Sequence, residues 1–204
     1  MEGTDLQVYY NYWCDGSCYH QAKNPENRTM GMGIYYLETN TVFPMPISRK
    51  LAVFGPPGDH NIAEYLAILC ALTDLYIIEG AKRSCTPYVL ESRHATFHSD
   101  SQLIIRQIIG EYQARKKAML FFKDEVLAMV RLLNNLGTDV IFKWNPRDNK
   151  NQKVADWLSK VGNPYFGGIV PDETVAHQVK GPTDIEEMLL PEPFKNIRKK
   201  LKWS

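Results

Sequence analysis

Between Leu6 and Val161 the hydrophobic period changes from two residues to about 3.6 and back, and no other feature restricts the fold as much. Leu6, Val8, Tyr10, Tyr12 and Cys14 alternate with Gln7, Tyr9, Asn11 and Trp13, which predicts a strand ending at the turn signal Asp15-Gly16-Ser17. Gly33–Leu37 and Lys50–Phe54 are two more β-rich runs, the second closed by Gly55-Pro56-Pro57-Gly58, so the first third of the chain reads as an antiparallel meander. From Asn61 the spacing of Ile62, Tyr65, Leu66, Leu69, Leu72, Thr73 and Tyr76 predicts a long amphipathic helix over 61–79. A strand at Ala95–His98 and a helix at Ser101–Ile109 stopped by Gly110 follow. Next come a helix over Ala118–Asn135, a strand at Val140–Trp144 and a last helix at Asn151–Val161. Strands separated by helices need crossover connections, so the fold class is α/β, a mixed sheet flanked by helices.

Past Gly162 the pattern stops. Residues 163–204 hold five of the 12 prolines, and the last ten residues collect Lys195, Arg198, Lys199, Lys200 and Lys202 without an acid. The expected division is one domain over 1–162 and a Pro-rich tail with a basic end over 163–204, a tail able to bind nucleic acid or a protein partner. The 24 Lys and Arg nearly balance 23 Asp and Glu, so net charge advertises neither nucleic acid nor membrane. Four cysteines are too few for a disulfide scaffold. The longest unbroken apolar run, Tyr65–Leu72, falls short of the roughly 20 residues of a membrane span. Residues 1–10 carry no charged segment leading into an apolar stretch, so an intracellular, cytoplasmic location is expected.

Four acids stand out by position. Asp15 ends the first strand, Glu64 lies in the first turn of the long helix, Asp100 sits where the fourth strand gives way to a helix, and Asp156 lies in the last helix. Side chains at such boundaries can converge beyond a sheet edge. Clustered carboxylates raise one another's pKa unless a cation neutralises them, and oxygen-only clusters suit Mg²⁺ or Mn²⁺. Taken singly, each acid also has a structural reading as a helix cap, a dipole partner or a solvated surface group.

With their flanks attached, these segments resemble the type 1 ribonuclease H family. Asp15-Gly16-Ser17-Cys18 is similar to its first motif, Asn61-x-Ala63-Glu64-Tyr65-x-Ala67 to its second, and Ser99-Asp100-Ser101-Gln102 to its third. Asn145-Pro146-Arg147-Asp148, followed by Ala155-Asp156-Trp157-Leu158-Ser159, resembles the fourth. Gly110-Glu111-Tyr112 and Pro146-Arg147-Asp148 resemble the plant- and archaeal-like branch, and the likeness spans about residues 5–162.

The resemblance implies a ribonuclease-H-like fold with a five-stranded sheet, three strands antiparallel and then two parallel. It implies that Asp15, Glu64, Asp100 and Asp156 ligate two Mg²⁺ or Mn²⁺ ions and that the RNA strand of an RNA/DNA hybrid is cut to 5′-phosphate and 3′-hydroxyl ends. Gly16, Ser17, Cys18, Asn61, Ser101 and Gln102 would meet the hybrid, whose RNA strand is distinguished by its 2′-hydroxyls. Arg147 would hold a phosphate. Each also has a plainer reading: Cys18 as a small buried side chain, Asn61 as a helix N-cap, Gln102 and Arg147 as solvated residues. Asp148 competes with Asp156 for the fourth ligand position, and the stronger match favours Asp156. The loop Trp144–Gln152 lacks the histidine of bacterial members, His60-Asn61 stands where a paired Asn is usual, and Leu37–Gly58 is longer than the usual hairpin. Arg115-Lys116-Lys117 stands where some members insert a basic handle. Neither His94 and His98 nor Cys14 and Cys18 have the further ligands a zinc site needs, so no zinc is expected. The alternatives are a nuclease of the same fold acting on branched DNA or double-stranded RNA, and a non-catalytic nucleic-acid-binding module.

Overall fold

Hydrophobic alternation builds the strands and the longer period builds the helices, in the order expected up to residue 161. The structure, a computed structural model, describes residues 6–18, 30–41, 47–55, 59–85, 91–161 and 174–178. β1 (Leu6–Cys18), β2 (Met30–Asn40) and β3 (Ile47–Gly55) form the meander, followed by α1 (His60–Cys85) and β4 (Glu91–Ser99). α2 (Gln102–Ile108), α3 (Lys117–Asn135), β5 (Thr138–Trp144), α4 (Lys150–Val161) and β6 (Thr174–Gln178) complete the order. The strands lie as β5-β4-β1-β2-β3-β6 in one sheet. β1 is antiparallel to β2 and β2 to β3, while β1, β4 and β5 run parallel. The five-stranded mixed core is therefore the expected one. Gly110, at φ +88°, follows α2, and Gly137, at φ +71°, follows α3, as their stop signals require.

Three expectations need correction. Asp15-Gly16-Ser17 is not a turn: β1 continues to Cys18, with Gly16 opposite Met32 and Ser17 opposite Gly31. Turn propensity there yields to the ladder with β2, and the glycine serves packing instead. A Cβ on Gly16 would lie 2.2 Å from the backbone of Ala63 and Glu64, so only glycine lets α1 approach β1 at this point. Secondly, α1 is not amphipathic along its middle. Ala63 through Thr73 is buried without a break, because β1 and β2 cover one side and α3 covers the side the periodicity assigns to water. By length and composition α1 passes for a membrane span, which a reading by unbroken apolar runs misses; most of that apolar surface is buried inside this fold.

Thirdly, the tail contributes a strand. β6 pairs parallel with β3, Lys50 opposite Thr174 through Phe54 opposite Gln178. Five residues are too few for periodicity to register, and the open edge of β3 supplies the hydrogen-bonding partner. The basic end of the tail, Lys195–Lys202, lies outside the described residues, as do Pro56–Gly58 and much of the long β2–β3 connection.

The two sheet faces are covered differently. On the α1 face, Tyr10, Tyr12 and Tyr36 direct their hydroxyls to Glu79 at 2.5 Å, Asp74 at 3.0 Å and Glu38 at 2.5 Å. Lys82 reaches Glu38 at 2.6 Å and Arg93 reaches Glu79 at 2.8 Å, so the carboxylates have ionic partners as well. On the other face α4 lies close to β2 over two glycines. A Cβ on Gly33 would fall 2.0 Å from the Ala155 carbonyl oxygen and 2.4 Å from the Ser159 nitrogen. Gly33→Ala must therefore push α4 away. It is expected to lower stability by about 2–3 kcal/mol, measured by urea unfolding; an unchanged midpoint would show that the helix yields without loss.

Candidate active site

Four elements deliver the candidate residues to one end of the sheet. β1 brings Asp15, and the strand's alternation turns it away from the α1 side, where Cys14 and Gly16 face the helix. α1 brings Glu64, which lies one residue beyond the helix's first turn because α1 starts at His60 and not at Asn61. The α1 N-cap is Asp59, whose Oδ1 accepts from the Asn61 nitrogen at 2.8 Å, so Asn61 is not the cap; its half-buried side chain also hydrogen-bonds Asp59. Asp100 follows the last residue of β4 directly. Asp156 sits in the second turn of α4.

Asp15, Glu64 and Asp100 converge. One carboxylate oxygen from each lies within 4.8 Å of the others. Glu64 and Asp15 are both 2% exposed. Glu64 Oε2 accepts from the Gly16 backbone at 3.2 Å and, more weakly, from the Ser99 hydroxyl at 3.5 Å, while His60 Nε2 stands 3.4 Å from its other oxygen. Asp15 Oδ2 accepts from the Ser159 hydroxyl at 2.7 Å. Asp100 Oδ2 is held by Arg147 Nε at 2.7 Å. Asp15 Oδ1 and Asp100 Oδ1 are buried with no hydrogen-bond partner.

Asp156 stands apart from this trio. Its Oδ2 pairs with Lys160 Nζ at 2.5 Å, one helical turn further on. Its charge nevertheless acts on Asp15. Asp148 is exposed in the turn before α4. Ser17 uses its hydroxyl on the Ser159 carbonyl at 2.6 Å, tying β1 to α4. Ser101 donates its backbone nitrogen to Ser99 Oγ at 3.1 Å, Gln102 is exposed at the start of α2, and Cys18 is half-buried at the end of β1. Of the basic triplet, Lys116 pairs with Asp59 at 3.3 Å, and Arg115 and Lys117 are exposed.

The electrostatics follow from crowding without water. Burial pushes the Asp15 carboxyl up to about 7; the Ser159 hydroxyl opposes this, and the charges of Asp100 and Asp156 add to it. Glu64 is raised well above the usual carboxylate range by burial and then by Asp15 and Asp100, with the Gly16 N–H and Arg147 pulling the other way. Arg147 is held more firmly protonated by its hydrogen bond to Asp100 and by that charge. Three acids with two orphaned buried oxygens are a set that can hold a divalent cation: hard oxygen donors at short mutual distance, with the anions of Asp15 and Glu64 disfavoured by burial.

Several contributors are not legible as site residues in the sequence. Ser159 and Ser99 support Asp15 and Glu64, and Trp144, half-exposed, donates its indole N–H to the Asp100 carbonyl at 3.1 Å. Asn145 donates to the Ser99 carbonyl at 2.9 Å, which pins the loop after β5 to the end of β4. Only the Ser of the Asp-x-x-Ser spacing in α4 could have been anticipated, as a neighbour of Asp156.

No family model matches the chain. Among solved structures it is similar to ribonuclease H1 from the halophilic archaeon Halobacterium salinarum NRC-1, at 17% identity over 76% of this chain and 95% of that one, with a TM-score of 0.51. It is also similar to the N-terminal ribonuclease H domain of rv2228c from Mycobacterium tuberculosis, at 21% identity over 75% and 91% of the two chains, TM-score 0.50. A third is LC9-RNase H1, described as a type 1 ribonuclease H with the type 2 active-site motif, at 16% identity over 75% and 71%, TM-score 0.54. The fold is that of the type 1 ribonucleases H.

Proposed function

We propose that this chain, with its ribonuclease H fold, is a metal-dependent endonuclease that hydrolyses the RNA strand of RNA/DNA hybrids, leaving 5′-phosphate and 3′-hydroxyl ends. The observation that carries the reading is the convergence of Asp15, Glu64 and Asp100 with two unpartnered buried oxygens, at the positions where the fold's motifs are matched. Asp156 is the preferred fourth ligand, since its charge acts on Asp15 while Asp148 is exposed in the turn. Two Mg²⁺ or Mn²⁺ ions held by these acids would supply the Lewis acidity that activates water and stabilises the leaving oxygen.

The chain's own residues do the rest. Gly16 N–H, Ser99 and Ser159 fix the carboxylates, so that the ligand geometry is set before substrate arrives. Asn61 and Gln102 flank the centre with side-chain amides suited to 2′-hydroxyls, beside Cys18, Ser101 and the backbone of Gly16 and Ser17. Arg147, mostly exposed, is positioned to meet a phosphate once it leaves Asp100.

Cleavage of a strand-labelled hybrid tests the reading, with an all-DNA duplex, double-stranded RNA and a DNA junction alongside. Expected is cutting of the hybrid's RNA strand alone, dependent on Mg²⁺ or Mn²⁺ and abolished by EDTA. An intact hybrid beside a cut junction or cut double-stranded RNA would replace it with another nuclease of this fold.

A further inference from the structure

Two cations already stand at the carboxylate centre. Lys160 Nζ lies 2.5 Å from Asp156 Oδ2, and Arg147 Nε lies 2.7 Å from Asp100 Oδ2. Their charges act across the centre as well: Lys160 opposes the rise of Asp15, and Arg147 opposes that of Glu64. We propose that Arg147 and Lys160 are counter-ions of the carboxylate centre, and that Lys160, by holding Asp156 off the Asp15–Glu64–Asp100 group, weakens uptake of the divalent ion that Asp156 completes. The inference rests on reading the centre as a metal site, and it goes beyond that reading by giving Lys160 a task.

Three features support it. The pairs involve two of the four candidate ligands, Asp100 and Asp156, so a divalent ion would compete with Arg147 and Lys160 for half of the centre's carboxylates. The side chains are tethered from exposed positions, Arg147 at 69% and Lys160 at 38%, so each can swing away without repacking the core. Ion pairs at that exposure are weak and screened, which suits a contact that must yield to a divalent cation. Because Lys160 is one turn beyond Asp156 on α4, releasing it moves a side chain and leaves the backbone over Gly33 in place. A plain helix-surface pair would have the same spacing but would not change metal affinity.

The test is calorimetric titration of Mn²⁺ into the full chain and into Lys160→Met, Lys160→Gln, Lys160→Arg and Arg147→Gln, with hybrid cleavage measured in parallel. Removing the lysine charge by Met or Gln is expected to tighten Mn²⁺ binding about 3- to 10-fold. Lys160→Arg should restore wild-type affinity, and Arg147→Gln should tighten binding to a similar degree. In EDTA the neutral variants should melt at lower temperature than the wild type, because the acids lose their counter-ion. Affinities within twofold across all five proteins, or weaker binding in the neutral variants, would overturn the proposal. Absence of Mn²⁺ binding in every protein would remove the metal centre and this inference together. Shifted affinities without hybrid cleavage would leave the counter-ion role standing and discard the substrate reading alone.

Discussion

An Asp100→Asn protein is expected to lose hybrid cleavage by about a thousandfold or more while keeping hybrid affinity within about threefold. Asp100 has one buried oxygen with no partner and the other on Arg147, and it contributes a full negative charge to the three-acid group. The amide is nearly isosteric, so β4, α2 and the Trp144 contact to the Asp100 backbone should persist. What disappears is one charged donor to a divalent cation, together with repulsion felt by Asp15 and Glu64. Single-turnover cleavage and filter binding on the same protein separate the two effects. A cleavage rate within tenfold of wild type would rule out Asp100 as a ligand, and parallel loss of binding would point to damaged substrate contacts.

The second large effect is on stability. Without divalent metal, the protein is expected to lose on the order of 3 kcal/mol between pH 5 and pH 7.5 through Asp15 alone. The sign follows from the direction of the shift. Burial raises the folded carboxyl from 3.8 to about 7, so between those values the folded state binds more protons than the unfolded chain. Stability then falls as pH rises through that window, the reverse of a salt-bridged carboxylate, and Glu64 adds to the same trend. Millimolar Mn²⁺ should remove the slope, since a bound cation favours the ionised acids of the native state. Urea unfolding at both pH values, with EDTA or Mn²⁺, checks this. An equal slope with and without metal would mean that no cation is taken up among these acids.

Much of the architecture is legible in the residues because period and element length agree: Leu6–Cys14 alternates in one sense only, and Gly110 and Gly137 stand where helices must end. The misreadings share one cause, tertiary context overriding a local signal. Asp15-Gly16-Ser17 has turn composition, yet pairing with β2 and the approach of Ala63 keep it extended. The middle of α1 reads as amphipathic from the spacing of its larger apolar residues alone, and nothing local announces that the sheet and α3 will bury it on both sides. At the site, the three converging acids were readable from their boundary positions and flanks. The separation of Asp156 was not, since its carboxylate pairs with Lys160, a residue that looks like any solvated helix charge. Ser99 was equally hidden, because a supporting hydroxyl on a strand has no spacing rule of its own, whereas Ser159 could be placed only as a helical neighbour of Asp156.

The continuous burial of α1 bears on how durable the centre is in time. Glu64 is the second residue of the stretch that is closed to water from Ala63 to Thr73, and its peptide group and that of Ala63 pack against Gly16. Amides in such a helix exchange with solvent only when the whole domain opens, whereas the turn bearing Arg147 can open on its own. One wall of the centre is therefore expected to last as long as the native state itself, and the other to be remade many times within that lifetime, a difference that hydrogen exchange would read out.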